Sequence, residues 1–322
     1  MPDVRFDGRV ALVTGAGGGI GRAHALALAS RGARIVVNDY GVSINNTPDD
    51  ENDRAGAVVA EIEALGGEAV ANHDSVADRD GARRMVKQAV DSWGQIDIVV
   101  NNAGINSADP IQDEPGPAYA AHMAVHLEGQ LHTMREAWPH MVGQSYGRFV
   151  NTSSAGALGF VQPDGTWFGS YAIAKGAVLA ATRQAAGAGA PHNIKANSIL
   201  PLAISRMVEP CIPGTTVLDY MQRFTAPEHV ALAALFLAHE DCPTTGQAFS
   251  ISGGRVARIA YASPLGFSDA ELTPEKVRDN WSVVLGESDE EHRLINFYEA
   301  VDNAFEYTLL QRAGIGSGFT LW

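Results

Sequence analysis

The chain has 322 residues, 46% of them hydrophobic and 19% charged, enough for one large α/β domain or two small ones whose core needs no staples. Its 37 acidic side chains outnumber 23 basic ones, and the formal charge of −14 argues against a general nucleic-acid or anionic-membrane binder. Cys211 and Cys242 exclude a disulfide framework, no apolar run reaches the ~18–20 residues of a membrane span, and the polar start lacks a signal core, so a cytoplasmic protein is expected.

Short apolar runs alternate with longer helical stretches from residue 9 to about 252. Strands are predicted at 10–13, 34–38, 68–73, 96–100, 148–152, 195–200 and 248–251, with Ala-rich helices at 22–30, 55–65, 82–93 and 118–141 among them. Seven strands in such alternation predict βαβ units and one doubly wound parallel sheet with helices on both faces, over residues 1–254. After Gly253 and Gly254 the rhythm stops, and 255–322 read as a strandless helical extension, either packed on the core or a neighbouring subunit or serving as a lid. There Thr273 before Pro274 reads as an N-cap, Ser288 with Glu291 as a capping box, and Leu294, Phe297, Tyr298, Val301, Phe305 and Leu309 as one helical stripe.

Between the first strand and the first helix stands Thr14-Gly15-Ala16-Gly17-Gly18-Gly19-Ile20-Gly21. Glycines there let the backbone turn tightly and approach a pyrophosphate, and the helix start offers free N–H groups and a positive dipole end. Asp39 closes the second strand, where an acid can accept both hydroxyls of an adenosine ribose and repel a 2′-phosphate, favouring NAD over NADP. An Asp so close before Gly41 also suits a plain turn. Asp74 and Ser75 end the third strand, with Asp74 a candidate acceptor for an adenine amino group. Asn101, Asn102, Ala103 and Gly104 end the fourth, with Asn101 read chiefly as a tie between strands.

Tyr171 and Lys175 are spaced i, i+4 on one predicted helix, hence on one face. A free phenol titrates near 10. A positive charge ~4 Å away at an effective dielectric of ~20 favours the phenolate by ~4 kcal/mol, about three pH units. Tyr171 can then act as a base near neutrality while a carbinol hydride moves to an oxidised nicotinamide, with a serine holding the reacting oxygen.

These motifs in this order (Thr14 to Gly21, Asn101 to Gly104, Ser154, then Tyr171 with Lys175) resemble the short-chain dehydrogenase/reductase family. The resemblance implies a Rossmann-type seven-stranded sheet, NAD as cofactor, a small hydroxy or keto substrate, and Ser154, Tyr171 and Lys175 as catalytic residues. It also implies cofactor contacts from Gly15, Gly17, Gly19, Ile20, Gly21, Asp39, Asp74, Ser75, Asn102, Ala103, Gly104, Tyr171, Lys175 and Pro201. A homodimer or homotetramer built on the helices of His126 and Tyr171 is implied as well. The runs VVNDYG, VHLEG and TPEKVRDNW further resemble the dehydrogenase domains of peroxisomal multifunctional enzymes, a family that oxidises (3R)-hydroxyacyl-CoA with NAD. No hydratase or sterol-carrier segment follows, so a stand-alone dehydrogenase is expected.

There are departures from the family pattern. His126 stands where the family usually has an asparagine that orders a relay water, so it is a candidate relay or a structural histidine. Pro201 is followed by Leu202 in place of glycine, and a residue is missing just after the serines, which keeps Ser153 as the alternative to Ser154. An insertion brings Trp167 and Phe168, which with Met207 are the candidate walls of a large apolar substrate pocket or ordinary core. Arg206, Arg223, Arg255 and Arg258 are candidate phosphate contacts for an acyl-CoA or merely solvated arginines. A neutral bulky secondary alcohol and a non-catalytic NAD-binding protein are the alternatives. No metal site is expected.

Overall fold

The structure, a computed structural model, describes residues 3–42, 53–107, 116–159, 169–205, 215–264, 266–286 and 293–294. The central sheet has eight strands rather than seven, in the order β3-β2-β1-β4-β5-β6-β7-β8. Strands β1 (Val10–Thr14), β2 (Arg34–Asn38), β3 (Glu68–Asn72), β4 (Ile98–Asn101), β5 (Gly147–Thr152), β6 (Ile194–Leu202) and β7 (Ala248–Ser252) are all parallel. The added edge strand β8 (Arg255–Ile259) follows a two-residue turn at Gly253 and Gly254, both with positive φ, and so short a turn requires an antiparallel neighbour. Only five residues long and interrupted by exposed Arg255 and Arg258, β8 forms no continuous apolar run, so the sequence alone ends the sheet one strand early.

Alternation along the strands divides the core into two layers. Ala11 and Val13 of β1, Ile35 and Val37 of β2 and Val100 of β4 point to one face. There they meet helices α1 (Gly19–Ala29), α2 (Arg54–Ala64) and α8 (Pro227–Ala238). Val10, Leu12, Val36, Val99 and Phe149 point to the other, against helix α3 (Arg79–Trp93), helix α5 (Gly129–Gln144) and Ala186 of helix α6 (Gly169–Gly189). Buried on both faces, these strands are nearly continuous apolar runs, as a parallel sheet requires.

The helix predicted over 118–141 is broken into three parts. Helix α4 (Pro117–His122) leads into a π-helical segment, Met123–Glu128, and then into α5. A widened turn displaces the side chains that follow it, and such turns concentrate at functional sites. His126 lies within it.

Two compact units divide the chain at Arg258, Met1–Arg258 and Ile259–Trp322. In the second, Thr273 caps helix α9 (Pro274–Asp279) by accepting from the Lys276 N–H, as its position before Pro274 predicts. Helix α10 (Trp281–Leu285) follows. Leu294, expected in a helical stripe, instead pairs in antiparallel strands β9 (Ala262–Ser263) and β10 (Arg293–Leu294). Ser288, Glu291 and the rest of that stripe lie outside the described residues. No described helix is long and apolar enough to cross a membrane.

Candidate active site

Strand order reverses between β1 and β4, the switch point at which such sheets open a ligand crevice beyond their carboxyl ends. The glycine loop after β1 is locked to the end of β4. Asn102 donates its amide to the carbonyls of Thr14 (3.0 Å) and Gly15 (3.1 Å), and the Thr14 hydroxyl accepts from the N–H groups of Asn102 and Ala103. Gly21 cannot be replaced, because a Cβ there would lie 2.1 Å from the Gly15 carbonyl oxygen. A Cβ on Gly17 would meet the Asp39 carboxylate at 2.7 Å and the Arg54 Cβ at 2.6 Å. Gly19 has a positive φ of 51°, and its Cβ would meet nothing closer than 3.7 Å.

Helix α1 begins at Gly19, before Ile20 and Gly21, with no side-chain cap and no acid in its first turn. Its N-terminal N–H groups and dipole end therefore fit a pyrophosphate. Asp39 accepts from the Gly17 N–H at 2.9 Å and the Gly41 N–H at 3.0 Å, so it is at once a turn residue and a brace of the glycine loop. Arg54, the first residue of α2, packs against Gly17 and donates to the Val42 carbonyl. Only the return of α2 to the loop reveals it.

Beyond β3, Asp74 is held by Arg84 on one oxygen and by the Asn72 amide on the other, and the Ser75 hydroxyl accepts from the Ala77 N–H. Arg84 covers Oδ1 with two nitrogens, but Oδ2 keeps a further lone pair, so Asp74 can still accept from an adenine amino group. Asn101 does tie strands together: it donates to Asn151 at 2.9 Å and accepts from Thr133 at 2.6 Å. Gly104 follows Ala103 at the same strand end, and Pro201 sits in the last turn of pleat of β6, paired with Ile251.

At the end of β5 the two serines separate. Ser153 is buried, and its hydroxyl donates to the Lys175 carbonyl at 2.8 Å, so its proton is committed to α6. Ser154 caps a 3-10 turn, Ala155–Leu158, by accepting from the Gly156 N–H at 3.1 Å, and keeps its own proton for another acceptor. Geometry therefore favours Ser154.

Tyr171 and Lys175 are both buried on one face of α6, with the Lys175 Nζ 5.7 Å from the Tyr171 ring centre. The ammonium donates to the Thr152 carbonyl at 2.7 Å. Complete burial pushes Lys175 from an ordinary 10.5 down to about 7. The Lys175 ammonium is thus itself titratable near neutrality, which spacing alone does not reveal.

Two imidazoles flank Tyr171 edge-on. His126 lies 5.0 Å away, centre to centre, and His122 lies 5.9 Å away. His126 Nε2 is 2.8 Å from the Ile105 carbonyl and 3.4 Å from the Ile105 N–H; the shorter contact, to an oxygen that can only accept, favours the tautomer with the proton on Nε2 and Nδ1 bare. Burial first, then the Lys175 charge, holds His126 well below its ordinary value, as a neutral ring. His122, which the sequence reading passed over, accepts from the Ser107 N–H at Nε2 and donates from Nδ1 to Ser170 at 2.8 Å. Trp167, Phe168 and Met207, the expected substrate walls, lie outside the described residues, as does Arg206.

Residues 9–209 match the short chain dehydrogenase family. The chain is 41% identical over 290 residues to peroxisomal multifunctional enzyme type 2 of Mus musculus, covering 87% of this chain but 37% of that protein, so it spans well under half of that relative's length. Among solved structures, a short chain dehydrogenase from Mycobacterium avium superimposes with a TM-score of 0.71 at 37% identity, over 87% of this chain and 95% of the other. A 7α-hydroxysteroid dehydrogenase complexed with NADH and 7-oxo glycochenodeoxycholic acid gives a TM-score of 0.68 at 29% identity, over 78% and 95%. The chain belongs to the short-chain dehydrogenase family.

Proposed function

We propose that this protein oxidises a secondary alcohol to a ketone, reversibly, with NAD, and that its substrate is a 3-hydroxyacyl-CoA. One observation carries the reading: the buried Tyr171–Lys175 pair adjoins the end of β5, two strands from the glycine loop. At ~4.8 Å per strand that separation is about 10 Å, within the reach of a dinucleotide laid across the strand ends. Gly15, Gly17, Gly19 and the start of α1 would hold the pyrophosphate, Asp39 the adenosine ribose, and Asn102, Ala103 and Pro201 the approach to the nicotinamide. When bound, the dinucleotide supplies the hydride acceptor.

The remaining work falls to side chains. Ser154 donates its free hydroxyl proton to the substrate oxygen and holds it in line. Tyr171, as phenolate, takes the alcohol proton, and the Lys175 ammonium keeps that phenolate charged. His126, neutral and fixed by the Ile105 carbonyl, packs its edge against the phenol and restricts its position. Assembly as a dimer or tetramer through the helices of His126 and Tyr171 belongs to the same reading, with Ile173 half-exposed on α6.

A neutral bulky alcohol is the second reading, favoured by β8. Arg255 and Arg258, three residues apart on one strand, face opposite sides and cannot clamp the same phosphate. Steady-state rates with a 3-hydroxyacyl-CoA against a free sterol or aryl carbinol decide between the two. The chemistry itself is tested by Tyr171→Phe. Turnover of any secondary alcohol is expected to fall by ~10²–10⁴ with NADH binding retained; unchanged turnover overturns the reading.

A further inference from the structure

Beneath Lys175 lies a set of buried polar atoms whose bonding is incomplete. Gln130, in the first turn of α5, is one helical turn beyond His126 on the same face and is almost fully buried. Its Nε2 donates to the Thr152 carbonyl at 3.1 Å, the same oxygen that receives the Lys175 ammonium at 2.7 Å. Sharing one acceptor, the two nitrogens lie within about 6 Å of each other. Thr152 thereby uses both carbonyl lone pairs.

The donors and acceptors left over are complementary. An ammonium has three N–H groups, and among the described residues Lys175 spends one. Three buried atoms of the same cluster, Gln130 Oε1, His126 Nδ1 and Thr152 Oγ1, have no partner among the described residues. The amide cannot be turned round to hide Oε1, because that would aim it at the Thr152 carbonyl oxygen. No bond joins these acceptors to the ammonium directly, so one internal water, accepting from the ammonium and donating to the amide oxygen, is what satisfies both.

Resting on the reading of Tyr171 and Lys175 as the proton-transfer pair, we infer that Gln130 is a positioning residue for Lys175: its carboxamide anchors the Thr152 carbonyl with Nε2 and offers Oε1 to the ammonium across one internal water, holding the lysine charged beneath the phenol. A helix interior can accommodate leucine or methionine at such a site, so a buried glutamine with half its amide unspent points to a polar task. The titratable groups of this cluster are Tyr171 on α6, His126 on the π-helical segment and His122 on α4, and the adjoining end of β5 brings only the hydroxyls of Thr152, Ser153 and Ser154. His126 is neutral, and burial alone, with no described carboxylate, sets the Lys175 shift, so none competes with Gln130 for the ammonium.

The test reads Lys175 directly. The chain has four lysines, Lys87, Lys175, Lys195 and Lys276, so lysine labelled with carbon-13 at Cε gives four resonances, and the one absent from Lys175→Met is assigned. In ligand-free protein, Gln130→Met is expected to lower the Lys175 midpoint by about one pH unit, and Gln130→Glu to raise it by about as much. With NAD and substrate, the alkaline limb of kcat moves in the same directions. Midpoints unmoved in both variants overturn the inference, whatever happens to turnover. A uniform loss of kcat with both limbs in place also overturns it, by marking a packing role. If Gln130→Met does not fold, the equally long Gln130→Glu carries the test. Should Tyr171→Phe retain activity, the reading of the reaction fails while the titration result stands, so the two failures are distinguishable.

Discussion

The two ends of the crevice are built on different principles. At the glycine loop, backbone does the work: Gly15, Gly17 and Gly21 leave no room for a Cβ, and the polar groups there are mutually satisfied through Thr14, Asn102 and Asp39. At the Tyr171 end, side chains do the work. Lys175 is buried against its preferred ionisation, and His126, Gln130 and Thr152 each keep an atom without a partner among the described residues. A cradle can be fully bonded because it offers spare N–H groups to a ligand. On the proposed reading, the Tyr171 end is a proton-transfer site, which must retain groups whose charge can change, and stability is given up for that.

The largest effect expected from this contrast comes from Lys175→Met. It should lower kcat at least ~100-fold while raising the stability of the ligand-free fold. The unfolded chain holds the lysine proton up to about 10.5 and the folded chain loses it near 7. Stability of the unsubstituted protein therefore climbs with pH across that interval, and the variant's advantage, on the order of 5 kcal/mol, is greatest below pH 7 and gone by 10.5. Urea unfolding at pH 6 and pH 9.5 checks this; equal stability at pH 6 would remove the cost assigned to the buried amine.

The glycine-loop end also has a buried imidazole, His24 on α1, and it sharpens the comparison. Burial pushes His24 from 6.5 down to about 4, and its Nε2 has no partner among the described residues. The folded state thus binds fewer protons than the unfolded one between those values, and up to ~3 kcal/mol is lost as the pH falls from 6.5 to 4. His24→Leu is expected to flatten that slope and leave NADH affinity unchanged. A changed affinity would mean that this orphan, too, serves the ligand.

The smallest effect is assigned to Asp39. Asp39→Ser should relax discrimination against NADP about tenfold, ~1.4 kcal/mol, because the serine retains a hydrogen bond but not the charge that repels a 2′-phosphate. The ratio of NADPH to NADH dissociation constants measures it. An unchanged ratio would leave Asp39 as only the brace of Gly17 and Gly41.

Much of the frame was legible because its causes are local. All seven predicted strands exist, within two residues at either end, since fully buried parallel strands are unmistakable apolar runs. Strand β8 escaped notice because a short, largely exposed edge strand interrupted by Arg255 and Arg258 carries no such run, although the Gly253-Gly254 pair is itself a hairpin signal. The π-helical segment was invisible because a widened turn leaves the apolar spacing of 118–141 nearly intact. Leu294 was misread because its two-residue strand depends on a partner, Ala262, that lies 32 residues earlier in the chain.

By itself, the sequence determined the parallel sheet, the glycine loop and the pairing of Tyr171 with Lys175 on one helical face, because covalent geometry and short-range periodicity suffice for each. Only the tertiary structure decided which serine keeps its proton, that Lys175 is desolvated enough to titrate near neutrality, and that Gln130 and His122 join the site. Those properties depend on what surrounds an atom once distant segments meet, and burial and hydrogen bonding there are sums over neighbours that no stretch of chain carries alone.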